Sequence, residues 1–284
     1  MDSTRRLTSK DDAPAADPRL VALGRLLTIV DRLRGPNGCP WDKKQTVESM
    51  APHLVEEAFE ALEAIETGTD RDVAEEAGDV LMVVTLIARI AQDAGRFDLA
   101  TAADAVSEKL VRRHPHVFGD LTVDGADEVL RNWEAIKKSE RTEKREDDSA
   151  LAGVPRALPA LQRARRLCNK AVSAGFRWED AAGARAKLGE EARELDDALA
   201  GTTDLTALDD ATRHAVEHEL GDVLLAAAFF AEYIGMDPEK LCRDAARRFE
   251  ERFRAMETEL ARPLREHSLA ELTAAWQRAK AATA

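Results

Sequence analysis

The sequence contains few aromatic residues and no long apolar run. Its 284 residues include one tyrosine, four tryptophans and eight phenylalanines. Ala, Leu, Glu and Arg dominate instead, and this composition favours helices over strands. No stretch approaches the roughly 18 consecutive apolar residues of a membrane span, and the polar N-terminus lacks the apolar segment of a signal peptide. These absences predict an all-α protein in the cytoplasm that has no membrane partner.

Cysteine and positive charge are also scarce. Cys39, Cys168 and Cys242 lie far apart and form no CxxC pair, so we expect no disulfide framework. Acidic residues outnumber basic ones by 54 to 41, which gives a formal net charge of −13. Proteins that hold nucleic acid neutralise its phosphates with clustered Lys and Arg, so nucleic acid is not an expected partner. A polyphosphate ligand would need metal ions to offset the acidic residues.

Two stretches without hydrophobic periodicity divide the chain. Residues 1–18 are polar and predict a disordered N-terminal arm. Residues 137–149 carry ten charges in thirteen positions, and they mark a charged linker that we place at 139–152. The remaining segments, 19–138 and 153–284, are each long enough to bury a core. We therefore expect two domains of similar size.

Each predicted domain contains five segments with apolar residues at helical spacing. The first five are 20–34, 52–66, 71–94, 98–112 and 126–138, and the second five are 156–174, 181–200, 210–234, 238–261 and 268–282. Gly68 and Gly235 lie just past predicted helix ends, and Asp237 followed by Pro238 is typical of a helix start. His114 and His116 flank Pro115 and predict a turn.

The two halves repeat the same chemical groups in the same order. The first half contains Trp41, then Glu56, Glu57 and Glu60, then Glu76 and Asp79, then Lys109 and Arg113, then Trp133 and Lys137. The second contains Trp178, then Glu190, Glu191 and Glu194, then Glu219 and Asp222, then Arg248 and Arg252, then Trp276 and Lys280. From the acidic motifs onward, the spacing within each motif is the same in both halves, whereas the lengths of the stretches between motifs differ. This pattern predicts a tandem repeat of one helical unit.

The first acidic motif of each half is ambiguous by itself. Glu56, Glu57 and Glu60 share one helical face. The opposite arc holds the apolar residues Leu54, Ala58, Leu62 and Ile65. This arrangement is also that of an ordinary amphipathic helix with a solvated acidic face.

The second acidic motif begins a helix that is apolar on nearly every side. Glu76 and Asp79 share the arc of Val83, Leu86 and Ile90, so we expect these carboxylates to face into the protein. In the second half Asp222 is aligned in the same way with Leu225, Ala226 and Phe229.

A carboxylate removed from water needs a cation, because an unpaired buried charge costs several kcal/mol. A salt bridge to arginine would satisfy that need, and so would a metal ion. If the two acidic helices of a half pack side by side, up to five carboxylates converge without His or Cys. Such a set suits Mg²⁺ or Mn²⁺ rather than zinc. Magnesium in turn suggests phosphates as co-ligands.

The basic and aromatic motifs could complete a nucleotide site. Lys109 with Arg113, and Arg248 with Arg252, are one helical turn apart and could grip a phosphate chain. The Trp133/Lys137 and Trp276/Lys280 pairs each offer a ring for stacking with a charge beside it. Taken singly, all of these would be ordinary surface residues; their repetition in one order favours function.

Motifs along both halves resemble those of a known family. GCPWDKKQT, APHLVEEAFEALEAI, EEAGDVLM and EKLVRRHPHVFGD resemble the N-terminal half of MazG proteins. GFRW, KLGEEARELDDAL, HELGDVLL, RRFEERFR and LAELTAAWQRAK resemble the C-terminal half. The resemblance implies tandem helical domains with four-helix-bundle-like cores, and homodimerisation. It also implies Mg²⁺-dependent hydrolysis of nucleoside triphosphates to nucleoside monophosphates and pyrophosphate.

The resemblance also implies roles for individual residues. The metal ligands would be Glu57, Glu60, Glu76 and Asp79 in the first half and Glu191, Glu194, Glu219 and Asp222 in the second. Glu56 and Glu190 would orient or deprotonate the attacking water. The nucleotide-binding residues would be Lys187, Arg248, Arg252, Trp276 and Lys280, with Trp41, Lys109, Arg113, Trp133 and Lys137 in the first half.

Two departures from the family pattern bear on which half is active. Arg248 stands where a lysine is expected, and Pro52 and His53 lie near the position that Lys187 has in the second half. Both halves therefore remain candidate sites, with a slight preference for the second.

Three other hypotheses remain open. The chain could be a non-catalytic regulatory protein that binds metal and nucleotide, or a scaffold whose charged faces serve solubility. His214 and His218 beside Glu219 could contribute to a di-iron site in a helical bundle, although the first half has no matching histidines.

Overall fold

The computed structural model describes residues 17–143, 147, 149–260 and 262–283, and all regular structure within them is helical. The α-helices of this part of the chain are α1 (Pro18–Arg34), α2 (Pro40–Lys44), α3 (Ala51–Thr67), α4 (Asp70–Asp93), α5 (Leu99–Arg113), α6 (Pro115–Phe118), α7 (Ala126–Glu143), α8 (Ala160–Ser173), α9 (Ala181–Ala198), α10 (Asp210–Tyr233), α11 (Pro238–Leu260) and α12 (Leu269–Ala282). A 3₁₀ turn at Leu264–Glu266 joins the last two. The all-α prediction is confirmed. Over these residues, none of the helices combines the length and apolarity that crossing a membrane requires.

The chain divides into two compact units, Met1–Lys144 and Arg145–Ala284. The first contains the long helices α1, α3, α4, α5 and α7 together with the short α2 and α6, and the second contains α8 to α12. Five long helices in each unit agree with the five predicted from periodicity.

Helix boundaries differ from the predicted ones at several points. Pro18 is not part of an arm but the first residue of α1, because Asp17 caps that helix by accepting a hydrogen bond from the amide of Arg19 at 2.9 Å. Helix α7 continues to Glu143, into the predicted linker. Helix α8 begins only at Ala160, after Pro159 at its N-cap. The rest of the predicted arm, residues 1–16, and linker residues 144–146 and 148 lie outside the described residues.

In the first unit α3 and α4 form a helical hairpin, α1 packs against α4, and α5 packs against α4 and α7. Thr69 and Asp72 form a capping box that starts α4 directly after Gly68 ends α3. The core contains Val30, Met50, Val83, Leu86 and Ile90, all buried. This packing fixes the two acidic helices of the unit side by side.

The second unit has an equivalent hairpin of α9 and α10. Helix α8 packs against α10, α11 contacts both, and α12 packs along α11. Asp180 and Asp209 cap α9 and α10 by accepting backbone hydrogen bonds from Gly183 and Thr212 at 2.9 and 2.8 Å. The three cysteines of the chain are free, in agreement with the prediction of no disulfide framework.

Candidate metal and nucleotide site

The α9–α10 hairpin brings three predicted metal ligands together. Glu191 and Glu194 on α9 and Glu219 on α10 each offer a carboxylate oxygen, and these three oxygens lie within 4.8 Å of one another. Glu191 is the most buried of them, with 6 % of its surface exposed. The spacing of Glu191 and Glu194, three residues apart, places both on the side of α9 that meets α10.

Lys187 supplies positive charge to this cluster from one turn earlier on α9. Its Nζ lies 2.6 Å from Oε1 of Glu190 and 2.7 Å from Oε1 of Glu191. The hydrogen bond from Lys187 lowers the pKa of Glu191, while the hydrogen bond between the two carboxyl groups raises the pKa of Glu194. Both contacts also raise the pKa of Lys187. Lys187 therefore stabilises an ionised Glu191 beside a glutamate that binds protons more readily.

Asp222 and His218 extend the cluster along α10. Nδ1 of His218 lies 3.0 Å from Oδ2 of Asp222 and 3.6 Å from Oε1 of Glu219. These three residues also offer ligand atoms within 4.8 Å of one another, so Glu219 belongs to both groups. His218 is absent from the predicted site because the first half has no counterpart. Its position four residues before Asp222 and next to Glu219 was the available signal.

The first unit contains a matching cluster. Glu57 and Glu60 on α3 and Glu76 on α4 offer oxygens within 4.8 Å of one another. Loss of hydration raises the pKa of Glu57, as do the charges of Asp79, Glu60 and Glu76. The pKa of Glu76 is raised by the same two causes, burial first and then the charges of Glu60 and Asp79. All four predicted ligands of this unit thus interact.

The carboxylates of the second acidic helix are less buried than predicted, although the arc that they share with Val83, Leu86 and Ile90 does face the core. Glu76 and Asp79 are only partly buried, and the side chain of Asp222 is 39 % exposed. The apolar stretch after Asp79 is left uncovered on one side, because Leu81 and Val84 lie on a face that α1, α3 and α5 leave open.

The predicted apolar face of α3 is also partly wrong. Ala58 and Ile65 are exposed, whereas Ala64 is buried. In the second unit the most buried carboxylate, Glu191, belongs to the motif that could have been a solvated face. Leu225 on α10 is likewise 41 % exposed rather than buried.

Glu56 and Glu190, the predicted water-activating residues, lie at the edge of their clusters. Both side chains are exposed. Nδ1 of His53 lies 3.6 Å from Oε2 of Glu56. His53 therefore takes the position relative to Glu56 that Lys187 takes relative to Glu190, three residues before each glutamate.

The predicted nucleotide-binding side chains of the second half other than Lys187 lie on the α11–α12 pair, next to an apolar groove. Trp276 packs against Phe249 with 5.2 Å between ring centroids. These two residues, with Phe253, Met256 and Leu272, line an open groove of about 250 Å³. Arg248 and Lys280 are exposed. Nε of Arg252 donates a hydrogen bond to Oγ1 of Thr283 at 2.9 Å.

The corresponding residues of the first unit have different partners. Arg113 forms an ion pair with Glu140 on α7. Nζ of Lys137 lies 5.2 Å from the ring centroid of Trp133, a cation–π contact, and Lys109 is exposed. The structure thus places Lys137 beside Trp133 as predicted but pairs Arg113 with an acid.

The tryptophans that open the two repeats also differ. Trp41 is 51 % exposed and touches the edge of His53, with ring centroids 5.8 Å apart. Trp178 packs instead against Phe229 and Tyr233, and the Tyr233 hydroxyl donates a hydrogen bond to the backbone carbonyl of Trp178. Trp41 is therefore available near Glu56, whereas Trp178 anchors the start of the α9–α10 hairpin.

Comparisons with known proteins show which family the sequence resembles. The family model of the MazG nucleotide pyrophosphohydrolase domain matches residues 45–118, which include the first carboxylate cluster and Arg113. The nucleoside triphosphate pyrophosphohydrolase of Escherichia coli K12 is 41 % identical over 237 residues, covering 83 % of this chain and 87 % of that protein. The chain belongs to the MazG family. The nucleoside triphosphate pyrophosphohydrolase/pyrophosphatase MazG of Thermotoga maritima is 37 % identical over 258 residues, covering 90 % of this chain and 94 % of its own length.

Proposed function

We propose that this MazG-family chain is a Mg²⁺-dependent nucleoside triphosphate pyrophosphohydrolase, which converts NTP and water to NMP and pyrophosphate in cytoplasmic nucleotide-pool control. Relatives that share most of its length are named for this activity. The observation that carries the proposal is the convergence of carboxylate oxygens from Glu191, Glu194 and Glu219 within 4.8 Å, on the two helices of one hairpin.

The carboxylate clusters fit a divalent cation. Each gathers at least three acids, and the raised pKa values of Glu57, Glu76 and Glu194 have crowded like charge among their causes. Oxygen ligands suit Mg²⁺, and the imidazole of His218 would also suit Mn²⁺. A bound Mg²⁺ would offset the charge of the phosphates and lower the pKa of a coordinated water.

Glu190 is the residue we assign to accept the proton of the attacking water in the second unit, and Glu56 in the first. Nζ of Lys187 contacts Oε1 of Glu190 at 2.6 Å, which orients this carboxylate at the edge of the cluster, where it could accept a proton from water. The water oxygen forms a bond to the α-phosphorus while the bond to the α–β bridging oxygen breaks, and pyrophosphate leaves with that electron pair. No covalent enzyme intermediate is required.

The α11–α12 pair would bind the rest of the nucleotide. Arg248 and Arg252 carry two positive charges one turn apart for the phosphates. Trp276 and Phe249 line an apolar groove that suits the face of a base, and Lys280 adds a charge beside it.

We further propose that the chain is a homodimer. Large apolar side chains stand exposed along α3 and α4 next to the first cluster, among them Phe59, Ile65, Leu81 and Val84. Several large apolar side chains exposed on two neighbouring helices are typical of a protein–protein interface. Sedimentation velocity would show a dimer, and Leu81→Glu with Val84→Glu should shift it to monomer.

The decisive experiment is to incubate the protein with each NTP and Mg²⁺ and to separate the products. NMP with pyrophosphate supports the proposal. NDP with phosphate would overturn cleavage at the α–β position. Binding without turnover would instead favour a regulatory protein that binds nucleotide.

A further inference from the structure

We propose that Glu140 blocks phosphate binding in the first unit by forming an ion pair with Arg113. In the second unit Thr283 leaves the guanidinium of the equivalent Arg252 available to bind a triphosphate. The proposal rests on the proposed function for the class of ligand. It adds a reason why two similar sites differ, namely a single carboxylate that competes with phosphate in one of them.

The two contacts occupy the same place in the repeat. Glu140 follows Trp133 by seven residues, and Thr283 follows Trp276 by seven. Arg113 and Arg252 each stand four residues after the first basic residue of their motif. In both units Nε of the arginine donates a hydrogen bond to the residue seven positions after the tryptophan. The repeat therefore conserves the geometry and exchanges only the chemical group, a carboxylate for a hydroxyl.

In the first unit Glu140 occupies hydrogen-bonding groups of the Arg113 guanidinium. Nε and Nη2 of Arg113 lie 3.1 and 2.5 Å from Oε2 of Glu140, and Nε of Arg112 donates to Oε1 at 2.8 Å. The side chains of Arg113 and Glu140 are only 18 % and 15 % exposed. These contacts lower the pKa of Glu140 to about 2. A phosphate would have to displace an ionised carboxylate that two guanidinium groups hold.

In the second unit the same position offers a neutral acceptor. Oγ1 of Thr283 accepts from Nε of Arg252 at 2.9 Å and donates to the carbonyl of Ala279 at 3.0 Å. Over the residues that the structure describes, Arg252 has no carboxylate partner. The hydroxyl thus orients the guanidinium without cancelling its charge, which leaves its outer N–H groups for phosphate oxygens.

Reciprocal exchange of the two residues tests the proposal in the full chain. Glu140→Thr is made in a Glu191→Ala background, so that binding reports on the first unit, and Thr283→Glu in a Glu57→Ala background, so that it reports on the second. The probe is the α,β-methylene analogue of ATP with Mg²⁺, followed by calorimetry. Because a charge-assisted hydrogen-bond pair decides the difference, we expect Glu140→Thr to tighten binding about tenfold and Thr283→Glu to weaken it about tenfold.

Two further variants keep the outcome interpretable. Adding Arg113→Met to Glu140→Thr should abolish the gain, and a gain that persists would overturn the proposal. Glu259→Thr removes the ion pair with Arg278 between α11 and α12 and should leave affinity unchanged.

If Glu140→Thr weakens the fold of the first unit, Thr283→Glu still tests the proposal, because this substitution removes no ion pair. Unchanged affinity in that variant, at an unchanged melting temperature, contradicts the proposal. The proposed function fails separately, if the unmodified chain releases no pyrophosphate from any NTP while the exchanged variants still bind the analogue differently.

Discussion

Nζ of Lys187 lies 2.7 Å from Oε1 of Glu191, a carboxylate whose side chain is only 8 % exposed. The two residues are one turn apart on α9, so the contact is set by the helix itself. Within the same hairpin, this ammonium group and a divalent cation would stabilise the same ionised carboxylate. We therefore expect the stability of the second unit and its affinity for metal to be linked through Glu191.

Replacing Lys187 by methionine should destabilise the second unit in the presence of EDTA. The substitution keeps the length of the side chain but leaves Glu191 without its cation, and because Lys187 is itself partly exposed we expect only a small decrease in melting temperature. Added Mg²⁺ should reverse most of this decrease, since a bound cation replaces the ammonium. Thermal denaturation with EDTA and with MgCl₂ measures both effects.

Lys240→Met is the matched control for this variant. Lys240 makes a similar contact, 2.8 Å to Asp244 four residues later on α11, away from the carboxylate clusters. Added Mg²⁺ should not restore the stability that the Lys240→Met variant loses. Equal recovery in both variants would show that the metal acts elsewhere.

Much of the fold was accessible from the sequence because helix-forming residues, caps and apolar spacing agree. The repeat Glu57, Glu60, Glu76 and Asp79 predicted a cluster because helical spacing fixes which side chains share a face, and the structure brings their carboxylates into interaction. Glycine and proline positions also marked the ends of α3, α10 and α11 correctly.

Burial could not be read from periodicity alone. The helix from Asp79 onward is apolar on most sides, yet one of those sides is uncovered in the single chain, as Leu81 and Val84 show. Apolar surface around a helix indicates that it meets a partner, but it does not say whether the partner is in the same chain. The pairing of Arg113 with Glu140 was equally inaccessible, because it joins α5 to the part of α7 that the charged composition suggested was linker.

The stability contributed by Glu140 should depend on pH. Its folded-state pKa of about 2 lies below the ordinary 4.5, so its contribution is present above pH 4.5 and is lost as the pH falls toward 2. Glu140→Gln should cost about 1–2 kcal/mol at pH 7, less than the full shift implies because Arg112 is half exposed and screened. The difference between variant and parent should shrink on acidification, measured by chemical denaturation from pH 7 to pH 3. A pH-independent difference would mean that packing, not charge, is lost.

Removing one proposed metal ligand from each unit should assign the activity. Glu57→Ala and Glu191→Ala each delete a carboxylate from the centre of a cluster, and we expect at least about a 100-fold loss of pyrophosphate release from whichever unit is active. Because Glu140 pairs with Arg113 whereas Arg252 contacts a neutral hydroxyl, we expect Glu191→Ala to have the larger effect. Pyrophosphate release from ATP with Mg²⁺ measures it, and a double variant that keeps the full rate would show that neither cluster is the site.

Metal preference should depend on His218. Imidazole binds Mn²⁺ and related transition metals in preference to Mg²⁺, and its Nδ1 lies 3.0 Å from Asp222 in the second cluster only, because the first unit has Glu75 at the equivalent position. His218→Asn should therefore lower the rate with Mn²⁺ about tenfold while the rate with Mg²⁺ changes by less than about threefold. His214→Asn, one turn earlier and exposed, should change neither rate. Equal losses with both metals would instead assign His218 a role in orienting Asp222, independent of metal identity.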